Sequence, residues 1–173
     1  MFRTAKIQRK FQKGTPFEVY APLFRQAYFD LAMANAETET IDQMASRADT
    51  LVKSSEKLEA VRPADGDLLD VHVRLVGLCR AFVLELKHTF VAFQLNPYVH
   101  PEQARKYRHA MSEADAWHDM RIKASSQFAD DVDRLEAKNP NLFRKLDLEN
   151  LLESLAAEQQ HLSGQQTVRA DDI

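Results

Sequence analysis

Apolar residues recur every three or four positions along nearly the whole chain, which is the spacing of an amphipathic helix. No segment shows the strict alternation of apolar and polar residues that a half-buried strand requires. We therefore expect an all-α protein. Because short connections join long helices into antiparallel neighbours, the predicted architecture is an up-and-down antiparallel bundle of four long helices plus a fifth, leucine-rich helix.

The first predicted helix opens with a Thr-Pro-Phe-Glu sequence at Thr15, a capping-box pattern with the hydroxyl at the N-cap and proline at the first helical position. Pro22 predicts a kink unless this helix begins later, near Tyr20. The second helix is expected to begin at a threonine cap, Thr38 or Thr40, and to end before the next proline.

The third predicted helix runs from Asp65 to Asn96 and is the most apolar helix of the chain. Beside a broad core face it carries a second apolar strip, and a helix that is apolar on two sides usually has neighbours on two sides. That second strip consists of Val73, Leu84 and Val91.

The fourth predicted helix runs from Pro101 to Asn139 with heptad spacing. The fifth runs from Leu142 and ends before Gly164, a natural C-cap. Its apolar stripe either packs this helix onto the bundle or forms an interface. The side chains that we expect to form an interaction face on this fifth helix are Leu148, Leu151, Leu152, Leu155 and Leu162.

The chain of 173 residues is long enough for one domain. We divide it into an N-terminal arm (1–14), a helical bundle (15–163) and a disordered polar tail (164–173). The formal net charge of −3 supplies no global field for nucleic acid. The arm is locally basic and is interpreted first as a solvated tail, with a membrane surface, a polyanion or an organellar presequence as alternatives. Its cations are Arg3, Lys6, Arg9, Lys10 and Lys13.

A single cysteine, Cys79, forms no internal disulfide, and neither a signal peptide nor a membrane span is evident. The expected location is cytoplasmic, without a cofactor. Cys79 and His72 lie seven residues apart on the buried side of the third helix. Two ligands do not make a closed zinc site, so we interpret both as core residues, with the histidine ring hydrogen-bonded to a neighbour.

Two Glu-x-x-His sequences, Glu85–His88 and Glu158–His161, match part of the pattern of di-metal carboxylate bundles. Five helical turns separate Glu85 from Asp67, so the two share one side of the third helix. That polar stripe is expected to face solvent, which makes a metal site the less favoured interpretation. An acidic run at residues 130–133 is likewise interpreted as a solvated face.

His118 and Arg121 occupy neighbouring positions of the apolar seam of the fourth helix, and Ser125 follows one heptad after His118. A buried arginine needs a partner. One interpretation is that these polar side chains form a layer that fixes the register of the helices. Another is that Arg121 reaches solvent with its charged end while its aliphatic stem is buried. Alternatively, these side chains line a ligand pocket with Trp117 and the first-helix tyrosines, among them Tyr28.

The leading functional hypothesis is a non-enzymatic helical bundle that binds a protein partner or itself through apolar helical faces. The alternative is a bundle that binds a ligand or a metal, through the His118 and Arg121 pocket or the Glu-x-x-His pairs. A weaker alternative is binding of an anionic surface by the basic arm.

Overall fold

The computed structural model describes residues 14–35, 40–95, 98, 101–148 and 150. Within these residues there is no strand, only an isolated backbone bridge between Thr15 and Pro63, so the all-α prediction is confirmed. The helices are α1 (Phe17–Ala34), α2 (Ile41–Glu59), α3 (Leu69–Gln94), α4 (Ala104–Lys138) and α5 (Pro140–Leu146), with single 3-10 turns before α3 and α4.

Side-chain capping follows the prediction at α2 but not at α1. Thr40 is the N-cap of α2, and its hydroxyl accepts a hydrogen bond from the backbone N–H of Gln43 at 3.1 Å. The predicted capping box at Thr15 is wrong. Pro16 rather than Thr15 is the N-cap of α1, and no side-chain hydrogen bond caps this helix. Thr15 instead donates its backbone N–H to the carbonyl of Arg62 at 2.6 Å.

The start of α1 crosses the connection between α2 and α3 at close range. A Cβ atom at Gly14 would lie within 2.8 Å of the Pro63 carbonyl oxygen, so glycine permits this approach. α1 begins at Phe17 and contains Pro22, so the alternative in which the helix begins near Tyr20 is wrong.

Helices α3 and α4 are packed side by side and run in opposite directions. Three ion pairs of lysine or arginine with a carboxylate, among the described residues, join α3, or the turn before it, to α4. From one pair to the next, residue numbers rise along α3 while they fall along α4. These pairs are Asp67–Lys138 at 2.7 Å, Arg74–Asp131 at 2.9 Å and Glu85–Arg121 at 2.5 Å. Asp131 is buried, so its interpretation as part of a solvated face is wrong.

The core lies between these two helices and α1, with α2 packed against α1 and α3. Tyr20 and Phe24 of α1 are fully buried. The ring of Phe24 contacts that of Phe128 on α4, with centroids 6.4 Å apart. Burial of such large aromatic surfaces contributes to the stability of the core.

The second apolar strip of α3 is only partly covered among the described residues. Val73 is 62% exposed and Val91 is 38% exposed, with Leu84 half-buried between them. α3 does pack against α4, α2 and α1, but among the described residues these neighbours leave much of this strip exposed.

The predicted continuous fifth helix is interrupted near its start. α5 ends at Leu146, and Asp147 adopts a left-handed conformation with φ of 58°. Leu148 is 6% exposed and belongs to the core, so its assignment to an interaction face is wrong. Outside the described residues lie the arm cations Arg3, Lys6, Arg9, Lys10 and Lys13, the residues Leu151, Leu152, Leu155, Glu158, His161 and Leu162, and the tail at 164–173.

Candidate functional site

Arg121 lies in a polar cluster between α1, α3 and α4. Its Nε donates to Glu85 Oε2 at 2.5 Å, and its Nη1 donates to Asn35 Oδ1 at 3.1 Å. Its Nη2 is 3.2 Å from Nδ1 of His118, which also lies 3.0 Å from Glu85 Oε1. The guanidinium stacks over the ring of Phe82, 4.7 Å from the centroid. The positive charge is thus matched by a carboxylate within the protein.

This geometry corrects the placement of Glu85. The polar stripe through Asp67 and Glu85 exists, but it faces α4 rather than solvent, and the Glu85 side chain is only 15% exposed. The signal that would have revealed this is charge complementarity. Acids and bases follow each other at similar intervals on α3 and, with reversed sign and direction, on α4.

A cavity of about 380 Å³ opens between α1 and α4. Its floor is formed by Leu78 and Phe82 of α3, and its walls carry small side chains such as Ala32 and Ala129. Most of the lining is apolar, which is typical of a site for an apolar group. The remaining lining residues are Tyr28, Leu31, Asn35, Arg121, Ser125, Phe128, Val132, Asp133, Phe143 and Leu148.

The predicted pocket residues are only partly brought together. Tyr28 and Arg121 line the cavity. His118 touches Arg121 at the cavity's edge but is not part of its lining. Trp117 is half-buried elsewhere on α4. Since Glu85 neutralises Arg121, the described lining lacks the unpaired cation that an anionic ligand would need.

The structure assembles no metal site from the residues it describes. Within those ranges there is no group of three His, Cys, Asp or Glu side chains that could hold an ion. Glu85 is engaged by Arg121 and His118, and His88 is half-buried on α3. The second Glu-x-x-His pair lies outside the described residues.

His72 and Cys79 are buried, as expected for core residues. Burial, reinforced by the nearby charge of Asp30, raises the pKa of the Cys79 thiol to about 12, so the thiol is protonated at neutral pH. The ring of His72 packs against Tyr20 with centroids 5.7 Å apart. Contrary to expectation, its Nδ1 finds no hydrogen-bond partner among the described residues.

We expect the free energy of unfolding to fall as the pH is lowered below about 6.5, the ordinary pKa of histidine. Burial lowers the pKa of His72, because the folded core disfavours the charged ring. The unfolded chain then binds the proton first, and stability that is present above the unfolded pKa is lost as pH falls through the folded pKa. Urea unfolding at pH 7.5 and at pH 5.5 measures the difference.

His72→Gln should flatten this pH dependence, whereas the same substitution at the exposed His109 should preserve it. A pH dependence that is unchanged in His72→Gln would assign the effect to other groups.

The apolar stripe of α3 continues beyond the end of α1. Asn35, which follows α1, is level with Arg121, as their hydrogen bond shows. Phe82, Leu86 and Phe93 lie on one side of α3, because their spacings of four and seven residues match whole helical turns. Phe82 is 4% exposed and Leu86 is 7% exposed, whereas Phe93 is 53% exposed. The side chains of this stripe are thus buried beside α1 and become exposed beyond its end.

α4 also has an exposed side beyond the level at which α1 ends. Arg108, Asp115, Ile122 and Ala129 follow one another at seven-residue intervals and share one side of the helix. Ala129 lines the cavity beside α1, and the other three lie on roughly the same side of α4, at levels beyond the end of the described α1. All three are exposed. The half-buried Met111 lies between Arg108 and Asp115 at helical spacing. We define the open face as Phe93, Arg108, Met111, Asp115 and Ile122.

None of the described helices is both long and apolar enough to cross a membrane. No family model, no curated protein and no solved structure matches this chain. Its function is therefore inferred from the open face and the cavity alone.

Proposed function

We propose that the protein is a non-enzymatic helical bundle that self-associates through its open face. The observation that supports this is the exposure gradient along α3, where one stripe passes from the buried Phe82 to the exposed Phe93. Two helices alone enclose no core. Two copies of the α3–α4 pair supply four helices, which are enough to enclose a core.

Charge complementarity favours a second copy of this chain as the partner that covers the open face. Arg108 and Asp115 are one heptad apart on the same side of α4. When two α4 helices cross antiparallel about an axis near Met111, Arg108 of each copy lies opposite Asp115 of the other. A two-fold axis makes this contact twice. Met111 and Phe93 supply apolar contacts beside the axis.

The electrostatics of α4 itself favour such a partner. Its first turns carry Arg105, Lys106 and Arg108, although the N-terminus of a helix favours negative charge. An acidic side chain from a second copy would offset the unfavourable interaction between these cations and the N-terminus of the helix.

We also infer the finer arrangement of the fold, in which α1 to α4 form one up-and-down antiparallel bundle. The ion pairs between α3 and α4 support this, as does the bond from Arg47 Nη1 to the carbonyl of Met33, which joins α2 to α1 at 3.0 Å.

Charge reversal tests the dimer. Sedimentation velocity of the full chain over a range of concentrations should show a monomer–dimer equilibrium. Arg108→Asp and Asp115→Arg should each weaken dimerisation by at least about 10-fold, since each places like charges opposite each other twice. The double variant Arg108→Asp/Asp115→Arg should restore the affinity, because both contacts become ion pairs again.

Lys123→Glu is the matched control, as Lys123 is exposed on another side of α4, and it should leave dimerisation unchanged. A wild-type chain that stays monomeric at all concentrations would contradict self-association and leave a different protein as the partner. A double variant as weak as the single ones would contradict the antiparallel geometry.

A further inference from the structure

The cavity between α1 and α4 shares no lining residue with the open face, so a molecule bound there is independent of the proposed dimer. We propose that this cavity binds a small, neutral and largely apolar molecule, and that Glu85 determines its preference for neutral over anionic molecules. Medium-chain alcohols and small uncharged aromatic compounds belong to this class. Glu85 does not line the cavity itself and acts through Arg121, which does.

The floor of the cavity is preformed. Leu78, Phe82 and Phe128 line it and are buried members of the core, so their positions are fixed before any molecule binds. Binding then costs little ordering of the protein. A bound molecule would contact this floor and the exposed rim residues Ser125 and Ala129 at once, and dispersion attraction grows with the number of such contacts. The volume of about 380 Å³ is within the range of small-molecule sites.

The charges around the cavity are either compensated or hydrated. Arg121 is the only cation of the described lining, and its Nε lies 2.5 Å from Glu85 Oε2. Both side chains are largely buried, so their opposite charges interact strongly and largely cancel. Asp133 is the only carboxylate of the described lining, and it is exposed to water. A bound anion would therefore lose its hydration without gaining an uncompensated positive partner.

The other polar residues of the described lining are Tyr28, Asn35 and Ser125, which are uncharged. Burial raises the pKa of Tyr28, so its phenol keeps its proton at neutral pH. A phenol, an amide and a hydroxyl are suited to hydrogen bonds with one hydroxyl or carbonyl group of a bound molecule. A mostly apolar lining with a few uncharged polar groups therefore favours a neutral molecule that carries a single polar group.

Two dyes that differ by one charge test the proposal on the full chain. N-phenylnaphthylamine is neutral, and anilinonaphthalenesulfonate is the same ring system with a sulfonate added. The fluorescence of both increases when they leave water, so titration measures their affinities. Wild-type protein should bind the neutral dye saturably and the anionic dye at least about 10-fold more weakly. Glu85→Gln leaves Arg121 uncompensated and should raise the affinity for the anionic dye at least about 10-fold, with the neutral dye unaffected.

Partial filling of the cavity locates the site. Ala129→Leu adds bulk at the exposed rim and should weaken binding of the neutral dye at least about 10-fold. Ala116→Leu is the matched control, because Ala116 is exposed on α4 outside the cavity lining, and it should leave binding unchanged. Phe93→Ala on the open face should also have no effect on the dye. Ala32→Leu repeats the test from the α1 wall, should Ala129→Leu fail to fold.

The two parts of the proposal fail in different ways. No saturable binding of the neutral dye to wild-type protein, or equal affinities in Ala129→Leu and Ala116→Leu, would overturn the site. Equal affinities of wild-type protein for the two dyes, or an anionic-dye affinity that Glu85→Gln leaves unchanged, would overturn the role of Glu85. Glu85→Asp, which draws the carboxylate back from Arg121, should act in the same direction if the glutamine variant does not fold. Sedimentation velocity reports dimerisation separately, so a failure of the dimer would not be mistaken for a failure of this site.

Discussion

Replacing Phe82 by alanine is expected to lower the free energy of unfolding by about 3–5 kcal/mol, the usual cost of removing a buried phenylalanine. Phe82 is 4% exposed, and its ring also supports the guanidinium of Arg121. The substitution therefore removes both core packing and a cation–π contact. Urea unfolding followed by circular dichroism measures the change.

Phe93→Ala is the matched comparison, because the two phenylalanines lie on one stripe of α3. At a protein concentration that keeps the chain monomeric, Phe93→Ala should cost less than about 1 kcal/mol, since half of its surface is already in water. It should nevertheless weaken dimerisation. Equal costs at the two positions would mean that Phe93 is covered within the monomer.

Glu85→Ala is expected to cost about 3 kcal/mol, because it leaves Arg121 partly buried without its carboxylate. The side chains of Glu85 and Arg121 are 15% and 14% exposed. Removing both charges in Glu85→Leu/Arg121→Leu should recover much of the loss, since an apolar pair avoids the desolvation of both ions. Thermal and urea unfolding of the three variants provide the measurement.

The exposed pair of Lys53 and Asp49 on α2 is the control, with side chains 67% and 65% exposed. Asp49→Ala should cost no more than about 0.5 kcal/mol. If Glu85→Ala cost as little as this, the cluster around Arg121 would be an ordinary surface ion pair.

Helical periodicity predicts the helices well because it depends only on local spacing. α4 begins and ends within three residues of its predicted bounds, Pro101 and Asn139, and Thr40 caps α2. Thr15 resembles a cap because its local sequence is favourable, yet a contact with Arg62 takes its backbone N–H. Asp147 carries no sequence signal for a left-handed turn as strong as a glycine would give.

The candidate site is harder to predict because it depends on which helix faces which. A helical projection correctly places Asp67 and Glu85 on one stripe, but it does not say whether that stripe meets solvent or another helix. Tyr28 and Arg121, which were expected in one pocket, do line one cavity. Glu85 was missed as the partner of Arg121, since a charged stripe is more often exposed than buried.

The distant partners of α1 have a consequence for biosynthesis. Phe24 packs against Phe128, and Arg25 bonds to the carbonyl of Leu146, 121 positions later in the chain. At about 5–20 residues per second, translation delays these partners by several seconds. During that interval the aromatic side of α1 remains partly exposed in the nascent chain. In contrast, α3 and α4 are neighbours in the sequence and can pack together as soon as both have emerged. Of the described helices, α1 is thus among the last to find its full set of contacts.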